Sequence, residues 1–314
     1  MSTWEKRWHP LRQEWVIVSA NTGARPWSGA VVEDQSVGTP EHDPNCYLCP
    51  RVERAAGGQN PDYPGPYAFD NDFPSLALDA PGDAGTGSPA PGLCRVLVWH
   101  PGHHHTLASL DADQMRDAVR LMRDEHARAM AIDSIQQVLV FENRGAEVGV
   151  SNPHPHGQLY ATGHVTANAR RVMQSQPGDV HAMLDQGGAL GRSGQWRAAV
   201  PYCARLPYEI WMTPDHSMAS LSDLTDDDLN DVADLLGRSY RALDAFFGRT
   251  TPLNLLWYSA PKGVDQWQLH AVIQPALRAP DKLKYFGGFE QLSGEVVNPV
   301  ESGQAAEALR AFFG

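Results

Sequence analysis

The segment SNPHPHGQLY, residues 151–160, combines two histidines with two prolines, a glycine and a glutamine. Side chains two residues apart on a β-strand point to the same side, so a strand here would present His154, His156 and Gln158 together. A neutral imidazole keeps a free nitrogen lone pair at physiological pH and can attack phosphorus. A backbone carbonyl that holds one ring nitrogen would leave the other to attack, and Pro155 would stiffen that backbone. The segment therefore predicts that His156 is a nucleophile.

Gln158 narrows the kind of reaction. An amide can donate a hydrogen bond to a phosphoryl oxygen, but it cannot protonate a leaving group or take a proton from water. Such a site suits a phosphoryl-histidine intermediate that waits for an incoming phosphate better than it suits hydrolysis. The alternative is that these residues only cap or ligate, and it is disfavoured because H-P-H-G-Q is an uncommon unit.

An internal repeat extends outward from this segment. Residues 94–115 and residues 208–229 each contain a β-rich run, a Pro-x-His turn and a helix start. Each stretch continues into a helix with apolar residues at helical spacing, a second strand, and a segment that carries His156 or His270. Chance similarity is the alternative, but the order of the elements and the spacing of the histidines match closely. We predict an α+β fold made of two copies of one unit.

The two copies differ in their polar residues. Gln268 stands where the first copy has His154, and Val272 stands where it has Gln158. We therefore expect the chemistry in the first copy. The units are predicted at residues 1–173 and 196–314, with a linker at 174–195 whose Pro, Gly and Ser content is typical of loops.

Cys46 and Cys49 form a C-x-x-C motif, which in a reducing compartment indicates either a metal knuckle or a redox pair. A proline and a loop follow instead of a helix, so a metal is favoured, while two unrelated thiols remain possible. A tetrahedral zinc site needs two more ligands, and imidazoles suit it. The candidates are His154 and one of residues 103–105, of which the repeat favours His103. A closed site of four ligands would be structural.

The whole chain of 314 residues is 42% hydrophobic and 20% charged, with a formal net charge of -12. This charge argues against a nucleic acid or a membrane surface as partner and leaves room for a local pocket that binds one phosphate ligand. The first ten residues lack the apolar run of a signal peptide, and no segment is apolar for long enough to span a bilayer. We expect a cytoplasmic protein with a small ligand.

Together these residues resemble the galactose-1-phosphate uridylyltransferase family of the histidine-triad superfamily, over nearly the whole chain. The resemblance implies two histidine-triad-like units, each an antiparallel sheet with helices. The matching motifs are GARPW (23–27), HDPNCYLCP (42–50), NPDYPGPYAFDNDFPSL (60–76), VFENRGAEVG (140–149), SNPHPHGQLYA (151–161), WQLHA (267–271) and AAEALR (305–310).

The resemblance implies a ping-pong reaction. His156 would attack the α-phosphorus of UDP-glucose, glucose 1-phosphate would leave, and a second sugar 1-phosphate would take the UMP group, while Gln158 and Ser151 hold phosphoryl oxygens. The implied nucleotide pocket comprises Asn71, Asp72, Phe141 and Asn143, and Arg25 would contact phosphate. The implied zinc ligands are Cys46, Cys49, His103 and His154. The implied sugar loop carries Lys284, Tyr285, Phe289 and Glu290. In the family, Arg25 and this loop act across a homodimer interface.

Departures from the family pattern lead to expectations about the second metal site and about the acceptor sugar. Some members hold a second metal with a glutamate and three histidines, and the matching positions here are Val172, Tyr258, His270 and Val272, so no second metal is expected. The sugar loop has Phe289 where a tyrosine is usual, Gly287 in place of a larger apolar residue, and Val296 near an expected glutamine. Thr22 replaces another phosphate-binding arginine. The acceptor sugar is therefore left open.

Two other functions remain as alternatives. One is a phosphorylase or hydrolase that splits nucleotide sugars or dinucleotides through the same histidine, and Gln158 disfavours its hydrolytic form. The other is a non-catalytic nucleotide-binding protein, which the intact His156, Gln158 and Ser151 disfavour.

Overall fold

The computed structural model of the chain describes residues 4–19, 38–80 and 87–314. Its strands are β1 (Trp4–His9), β2 (Glu14–Ser19), β3 (Tyr67–Asp70), β4 (Gly92–Val98), β5 (Gln137–Arg144), β6 (His156–Thr162), β7 (Gly188–Ser193), β8 (Trp196–Val200), β9 (Ile210–Pro214), β10 (Leu253–Tyr258), β11 (His270–Pro275), β12 (Leu277–Ala279), β13 (Lys282–Leu283) and β14 (Val296–Asn298). Its helices are α1 (Ala112–Met130), α2 (Ala167–Val172), α3 (Gly178–Asp185), α4 (Asp226–Phe247), α5 (Gly288–Ser293) and α6 (Ser302–Arg310).

A nine-stranded sheet in the order β3-β4-β6-β5-β10-β11-β9-β8-β7 forms the centre of the molecule, and its neighbouring strands are antiparallel. The run β4-β6-β5 of the first unit is followed by β10-β11-β9 of the second, which is the same arrangement in reverse. The α+β class and the repeated unit are confirmed. The two units do not form separate sheets, because β5 pairs with β10 along their length.

The register of the central strands allows positions in the two units to be matched. Phe141 of β5 lies opposite Gln158 of β6, and Leu256 of β10 lies opposite Val272 of β11. Phe141 and Leu256 also face each other across the junction of the units. Residues of β5 and β6 in the first unit therefore have structural counterparts in β10 and β11 of the second.

The long helices α1 and α4 pack against each other and against one face of the sheet. Their apolar stripes are buried, as the helical spacing predicts, with Met115 and Val119 in α1 and Val232 and Leu236 in α4. A capping box begins α4, because the Thr225 hydroxyl accepts from Asp228 N at 3.2 Å and the Asp228 carboxylate accepts from Thr225 N at 2.9 Å.

Helices α2 and α3 cover the opposite face of the sheet over its second half. Over the second half, a buried apolar cluster joins Trp211 and Val272 of the sheet to residues of α2 and α3 and to Leu11 of the β1–β2 turn. The segment 174–195, interpreted from sequence as a linker, thus contains α3 and β7. Its polar and Gly-rich composition suggested a loop, but Val180, Met183 and Leu184 are buried in this cluster.

A small sheet of order β1-β2-β14 joins the N-terminal hairpin to the C-terminal part of the chain. The structure places no membrane-crossing helix among the described residues, since none there is long and apolar enough.

Candidate active site and metal centre

The HPHGQ segment enters the sheet at the start of β6. The backbone N–H of Trp99, just after β4, donates to the carbonyl oxygen of Pro155 at 2.9 Å and fixes the entry of the strand. Gly157 is buried against the Trp99 ring, and a Cβ at this glycine would lie 2.2 Å from Trp99 Cζ2. A glycine is therefore required for the strand to approach the indole so closely.

The ring of His156 has a defined orientation. Its Nδ1 lies 2.7 Å from the carbonyl oxygen of His154, and because a carbonyl only accepts, Nδ1 must carry the proton. The Nε2 atom is then the one with the lone pair. Burial lowers the pKa of His156, although the hydrogen bond to His154 opposes the shift. The ring is thus a neutral imidazole whose Nε2 carries a free lone pair.

Phe141 and Asn143 lie on the same face of the sheet as His156 and Gln158. Phe141 sits opposite Gln158 in the register, Asn143 follows two residues later, and His156 precedes Gln158 by two. Phe141 also contacts Tyr160 edge to face, with 5.2 Å between ring centroids. The structure thus brings these four sequence-predicted residues onto one face.

A cavity of about 270 Å³ opens beside His156. Ser151 and Asn143 line it, together with the metal-ligand candidates His103 and His154. Its wall also includes an ion pair between Glu147 and Arg249, with Arg249 Nη2 lying 3.0 Å from Glu147 Oε1. Arg249 belongs to the second unit, so both units contribute to the site.

The four predicted metal ligands lie together and are buried. The Sγ atoms of Cys46 and Cys49 and ring nitrogens of His103 and His154 are all within 4.8 Å of one another. The Nδ1 atoms of the two histidines are 3.3 Å apart. Cys49 Sγ lies 3.4 Å from His154 Nδ1 and 3.5 Å from His103 Nδ1.

These separations fit a tetrahedral zinc ion, whose usual bond lengths place two nitrogens about 3.3 Å apart and a nitrogen and a sulfur about 3.5 Å apart. His154 Nε2 lies 2.9 Å from the carbonyl oxygen of His100, which fixes the proton there and leaves Nδ1 for a metal. Burial raises the pKa of Cys49 to about 12 and lowers that of His154 to about 3. A buried thiol of this kind loses its proton readily only beside a cation, so the donor set fits a metal.

Asn152 completes the surroundings of the metal centre and was not predicted from the sequence. Its side-chain Nδ2 donates to Cys46 Sγ at 3.4 Å, while its Oδ1 accepts from His154 N at 3.0 Å. The Asn152 side chain therefore links two of the predicted ligands, Cys46 and His154. A buried side-chain amide next to two ligands has no signature in a single sequence.

The predicted nucleotide residues Asn71 and Asp72 follow β3. The side-chain Oδ1 of Asn71 accepts from Phe73 N at 2.9 Å. The backbone N–H of Asn71 donates to Cys94 O, also at 2.9 Å. Asp72 is paired with Arg54, whose guanidinium also stacks over Phe69 at 4.2 Å. Neither Asn71 nor Asp72 lines the cavity beside His156.

The predicted sugar loop lies apart from the cavity of its own chain, since none of its four residues lines it. Lys284 Nζ contacts both carboxylate oxygens of Glu290, at 2.6 and 2.8 Å. Burial alone would raise the pKa of Glu290, but hydrogen bonds from Lys284, Val297 N and Gly287 N outweigh it and lower that pKa. Tyr285 and Phe289 are exposed, at 53% and 55%. Arg25 and Thr22 lie outside the described residues.

The second unit keeps the orientation of its histidine, His270, but lacks the counterparts of His154 and Gln158. His270 Nδ1 lies 2.8 Å from the carbonyl oxygen of Gln268, as His156 does from that of His154. The His270 ring is stacked between Trp211 and Tyr258, at 4.9 Å from each. Val172 and Val272, two further positions matched to the family's second metal site, lie in the apolar cluster that covers this face.

In comparisons with known proteins, the matching family model and the relatives described here carry the same enzyme name. Residues 2–166 match the family model described as galactose-1-phosphate uridyl transferase, N-terminal domain. The chain is 33% identical to galactose-1-phosphate uridylyltransferase from Haemophilus influenzae over 98% of its own length and 93% of that protein. It is likewise 33% identical to the Rattus norvegicus enzyme of that name, over 97% of this chain and 86% of that protein.

Solved structures share the fold. An ADP-glucose phosphorylase from Arabidopsis thaliana with bound ADP-glucose superposes with a TM-score of 0.81 at 21% identity, and 98% of each chain is covered. A structure described as uridylyltransferase gives a TM-score of 0.77 at 23% identity, again with 98% of each chain covered.

Proposed function

The chain belongs to the galactose-1-phosphate uridylyltransferase family, and from this premise we propose that it moves UMP from UDP-glucose to galactose 1-phosphate or a related hexose 1-phosphate. The observation that carries the proposal is the geometry of His156. Its Nδ1 proton is directed at the His154 carbonyl at 2.7 Å, so that Nε2 presents its lone pair to the cavity face.

In the first half of the proposed reaction, the lone pair of His156 Nε2 forms a bond to the α-phosphorus of UDP-glucose. The bond from that phosphorus to the bridging oxygen breaks, and the oxygen keeps the electron pair as glucose 1-phosphate leaves. In the second half, a phosphate oxygen of the acceptor attacks the same phosphorus. The phosphorus–nitrogen bond breaks, and its electrons return to Nε2 of a neutral imidazole.

Gln158 and Ser151 are proposed to hold the oxygens of the transferred group. Gln158 lies on the face of His156, two residues along β6, and its amide can donate without moving a proton. Ser151 lines the cavity at the end of the loop that Glu147 and Arg249 brace. We further propose that Phe141, Asn143, Asn71 and Asp72 contact the nucleotide. The position of Phe141 and Asn143 beside His156 supports this for those two residues.

Cys46, Cys49, His103 and His154 are proposed to hold one zinc ion. With all four positions filled by protein ligands, a bound ion would supply structural rigidity and would tie the knuckle at residues 46–49 to the HPHGQ segment. We propose no second metal.

The proposed assembly is a homodimer in the cytoplasm. The sugar loop that carries Lys284 and Glu290 does not line the cavity of its own chain, which supports a role in the site of a partner copy. Arg25 is proposed to contact phosphate in the same way. The four cysteines are free and buried, as suits a reducing compartment.

The test is covalent capture. The purified protein is incubated with UDP-glucose, quenched at alkaline pH to preserve an imidazole–phosphorus bond, and analysed by intact mass. We expect a UMP adduct in the wild type and in His270→Gln, which alters the matched histidine of the second unit, but not in His156→Ala.

The isolated adduct is then divided between galactose 1-phosphate, other sugar 1-phosphates, inorganic phosphate and buffer. Transfer to a sugar 1-phosphate supports the proposal. Faster release to inorganic phosphate would favour a phosphorylase instead, and the absence of an adduct with UDP-glucose or any other nucleotide sugar would favour a binding protein.

A further inference from the structure

The HPHGQ segment is supported from behind by one buried side chain, Trp99. The indole is fully buried and lies against Gly157, while its own backbone N–H holds Pro155. Trp99 thus contacts the residues on either side of His156. Any shift of the indole would move the backbone that directs Nε2.

Trp99 is supported in turn by a buried carboxyl group. Glu142 of β5 is 3% exposed, and its carboxyl group contacts α4 on the helix side of the sheet. The indole Nε1 of Trp99 lies close enough to this carboxyl group to affect its pKa, but it forms no full hydrogen bond among the described residues. The hydroxyl of Tyr240 donates to Glu142 Oε2 at 2.7 Å. Tyr240 is a fully buried residue of α4, in the second unit.

The second unit shows what the fold alone requires at these positions. Because Phe141 and Leu256 are counterparts in the register, Trp257 is the counterpart of Glu142, and Ala271 is the counterpart of Gly157. Both counterparts are buried and apolar. The scaffold therefore tolerates an apolar residue where the catalytic half has a carboxyl group.

Burying a carboxyl group costs free energy that an apolar side chain does not. Burial raises the pKa of Glu142 to about 7, even though the charge of Arg144, the hydrogen bond from Tyr240 and the nearby Trp99 indole lower it. An apolar side chain would therefore serve stability better at this position. The carboxyl group occurs in the half that has the intact HPHGQ segment, which indicates that it has a role in the reaction.

We propose that Glu142 and Tyr240 are positioning residues, which hold Trp99 against the HPHGQ segment and thereby let the second unit orient the nucleophile of the first. This inference rests on the proposed function, since it concerns the rate at which His156 attacks. Tyr240 does not line the cavity beside His156, whereas Glu142 does, so the Tyr240 variant tests the effect without a change in the cavity wall.

A neighbouring contact between the same elements provides a matched control. Arg144, two residues after Glu142, forms an ion pair with Asp244 of α4, at 2.6 and 3.1 Å. Arg144 also donates to Thr251 O at 2.8 Å. This pair joins β5 to α4 without contacting Trp99 in the described structure, so its loss tests the docking of the helix separately.

The experiment measures the rate of UMP-adduct formation and the KM for UDP-glucose in full-length variants. We expect Tyr240→Phe and Glu142→Leu to slow adduct formation by about 10-fold or more at saturating UDP-glucose, since small displacements of reacting groups have effects of this size. KM should change by less than about 3-fold. Glu142→Gln still accepts the Tyr240 hydrogen bond and should retain most of the rate.

Asp244→Asn should lower the melting temperature and leave the rate of adduct formation near that of the wild type. Trp99→Phe combined with Tyr240→Phe should be no slower than the slower single variant, because both act through one contact chain.

Three results would overturn the inference: a wild-type rate in Tyr240→Phe, an Asp244→Asn variant as slow as Tyr240→Phe, or a Glu142→Gln variant as slow as Glu142→Leu. A wild-type protein that forms no adduct would instead contradict the proposed function, so the two failures are distinguishable.

Discussion

His156 Nδ1 lies 2.7 Å from the carbonyl oxygen of His154, so the proposed metal ligand His154 also orients the proposed nucleophile. The ring of His154 is fixed by the His100 carbonyl and by its neighbours in the cluster. Its backbone carbonyl is therefore fixed as well. Metal binding and nucleophile orientation are consequently expected to be coupled through this one residue.

Removal of the metal should slow the reaction although no metal need touch substrate. We expect chelator-treated protein and Cys49→Ser to form the UMP adduct about 10- to 100-fold more slowly, because the His154 carbonyl loses its fixed position. Adduct rate and bound zinc are measured on the same samples. Cys94→Ser alters another buried thiol outside the centre and should retain both. Full activity in zinc-free protein would contradict the coupling.

Metal analysis of the purified protein should give one ion per chain. The positions matched to a second site hold Val172, Tyr258 and Val272, none of which suits a divalent ion, and His270 is stacked between aromatic rings. His103→Ala should abolish the single equivalent. Two equivalents in the wild type, with one surviving in His103→Ala, would disprove the expectation.

Replacement of Asn152 by alanine should weaken the metal centre without removing a ligand. The amide connects Cys46 Sγ to the backbone N–H of His154, and loss of such supporting contacts lowers metal affinity by about 10- to 100-fold. Competition with a coloured zinc chelator measures the change. Asn60→Ala serves as a control, since that buried amide supports only the backbone carbonyls of Tyr47 and Cys49 and should weaken zinc binding less.

Gly157→Ala should be strongly destabilising, because the new Cβ would lie 2.2 Å from Trp99 Cζ2 and 2.6 Å from the carbonyl oxygen of Phe141. Overpacking of this kind costs about 1 to 3 kcal/mol or more. Denaturant unfolding measures the loss. The double variant Gly157→Ala/Trp99→Leu should recover part of it, and strict additivity of the two changes would argue against the contact as the cause.

Glu142 should make stability depend on pH near neutrality. Its pKa is raised from an ordinary value of 4.5 to about 7, so the folded state binds its proton more tightly than the unfolded state. The stabilisation is complete below pH 4.5 and is lost as pH rises through 7.

Between pH 5 and pH 8, Glu142→Gln should therefore gain about 2 kcal/mol in unfolding free energy relative to the wild type. Thermal or urea unfolding across this range provides the comparison. The other ionisable groups around the carboxyl group are Tyr240, Arg144 and Asp244, and all three are unchanged in the variant. A constant difference across the range would show that Glu142 does not titrate there.

Much of the site could be predicted from local sequence. The alternation of His156 and Gln158 and the spacing of Cys46 and Cys49 depend on neighbours in the chain. The structure gathers Cys46, Cys49 and His154 in one buried cluster and puts His156 and Gln158 on one face of β6, while His154 lies just before that strand. The repeat of strand, helix and strand gave the fold class because its hydrophobic period survives in both copies.

Other features depend on contacts that no local pattern encodes. Glu142 lies on an alternating strand, where a carboxylate is ordinarily solvated, and only the arrival of α4 buries it against Tyr240. The segment 174–195 has loop-like composition, yet Met183 and Leu184 are buried because the second half offers them an apolar face. The joining of both units in one sheet through β5 and β10 also follows from tertiary pairing alone.

A duplicated half that has lost its own chemistry would ordinarily be free to accumulate change. Here β10 pairs with β5, and Tyr240 of α4 contacts Glu142 of β5, so a change in the second unit is transmitted to the unit that carries the HPHGQ segment. Substitutions deep in α4, remote in the chain from any substrate contact, should therefore lower activity as well as stability.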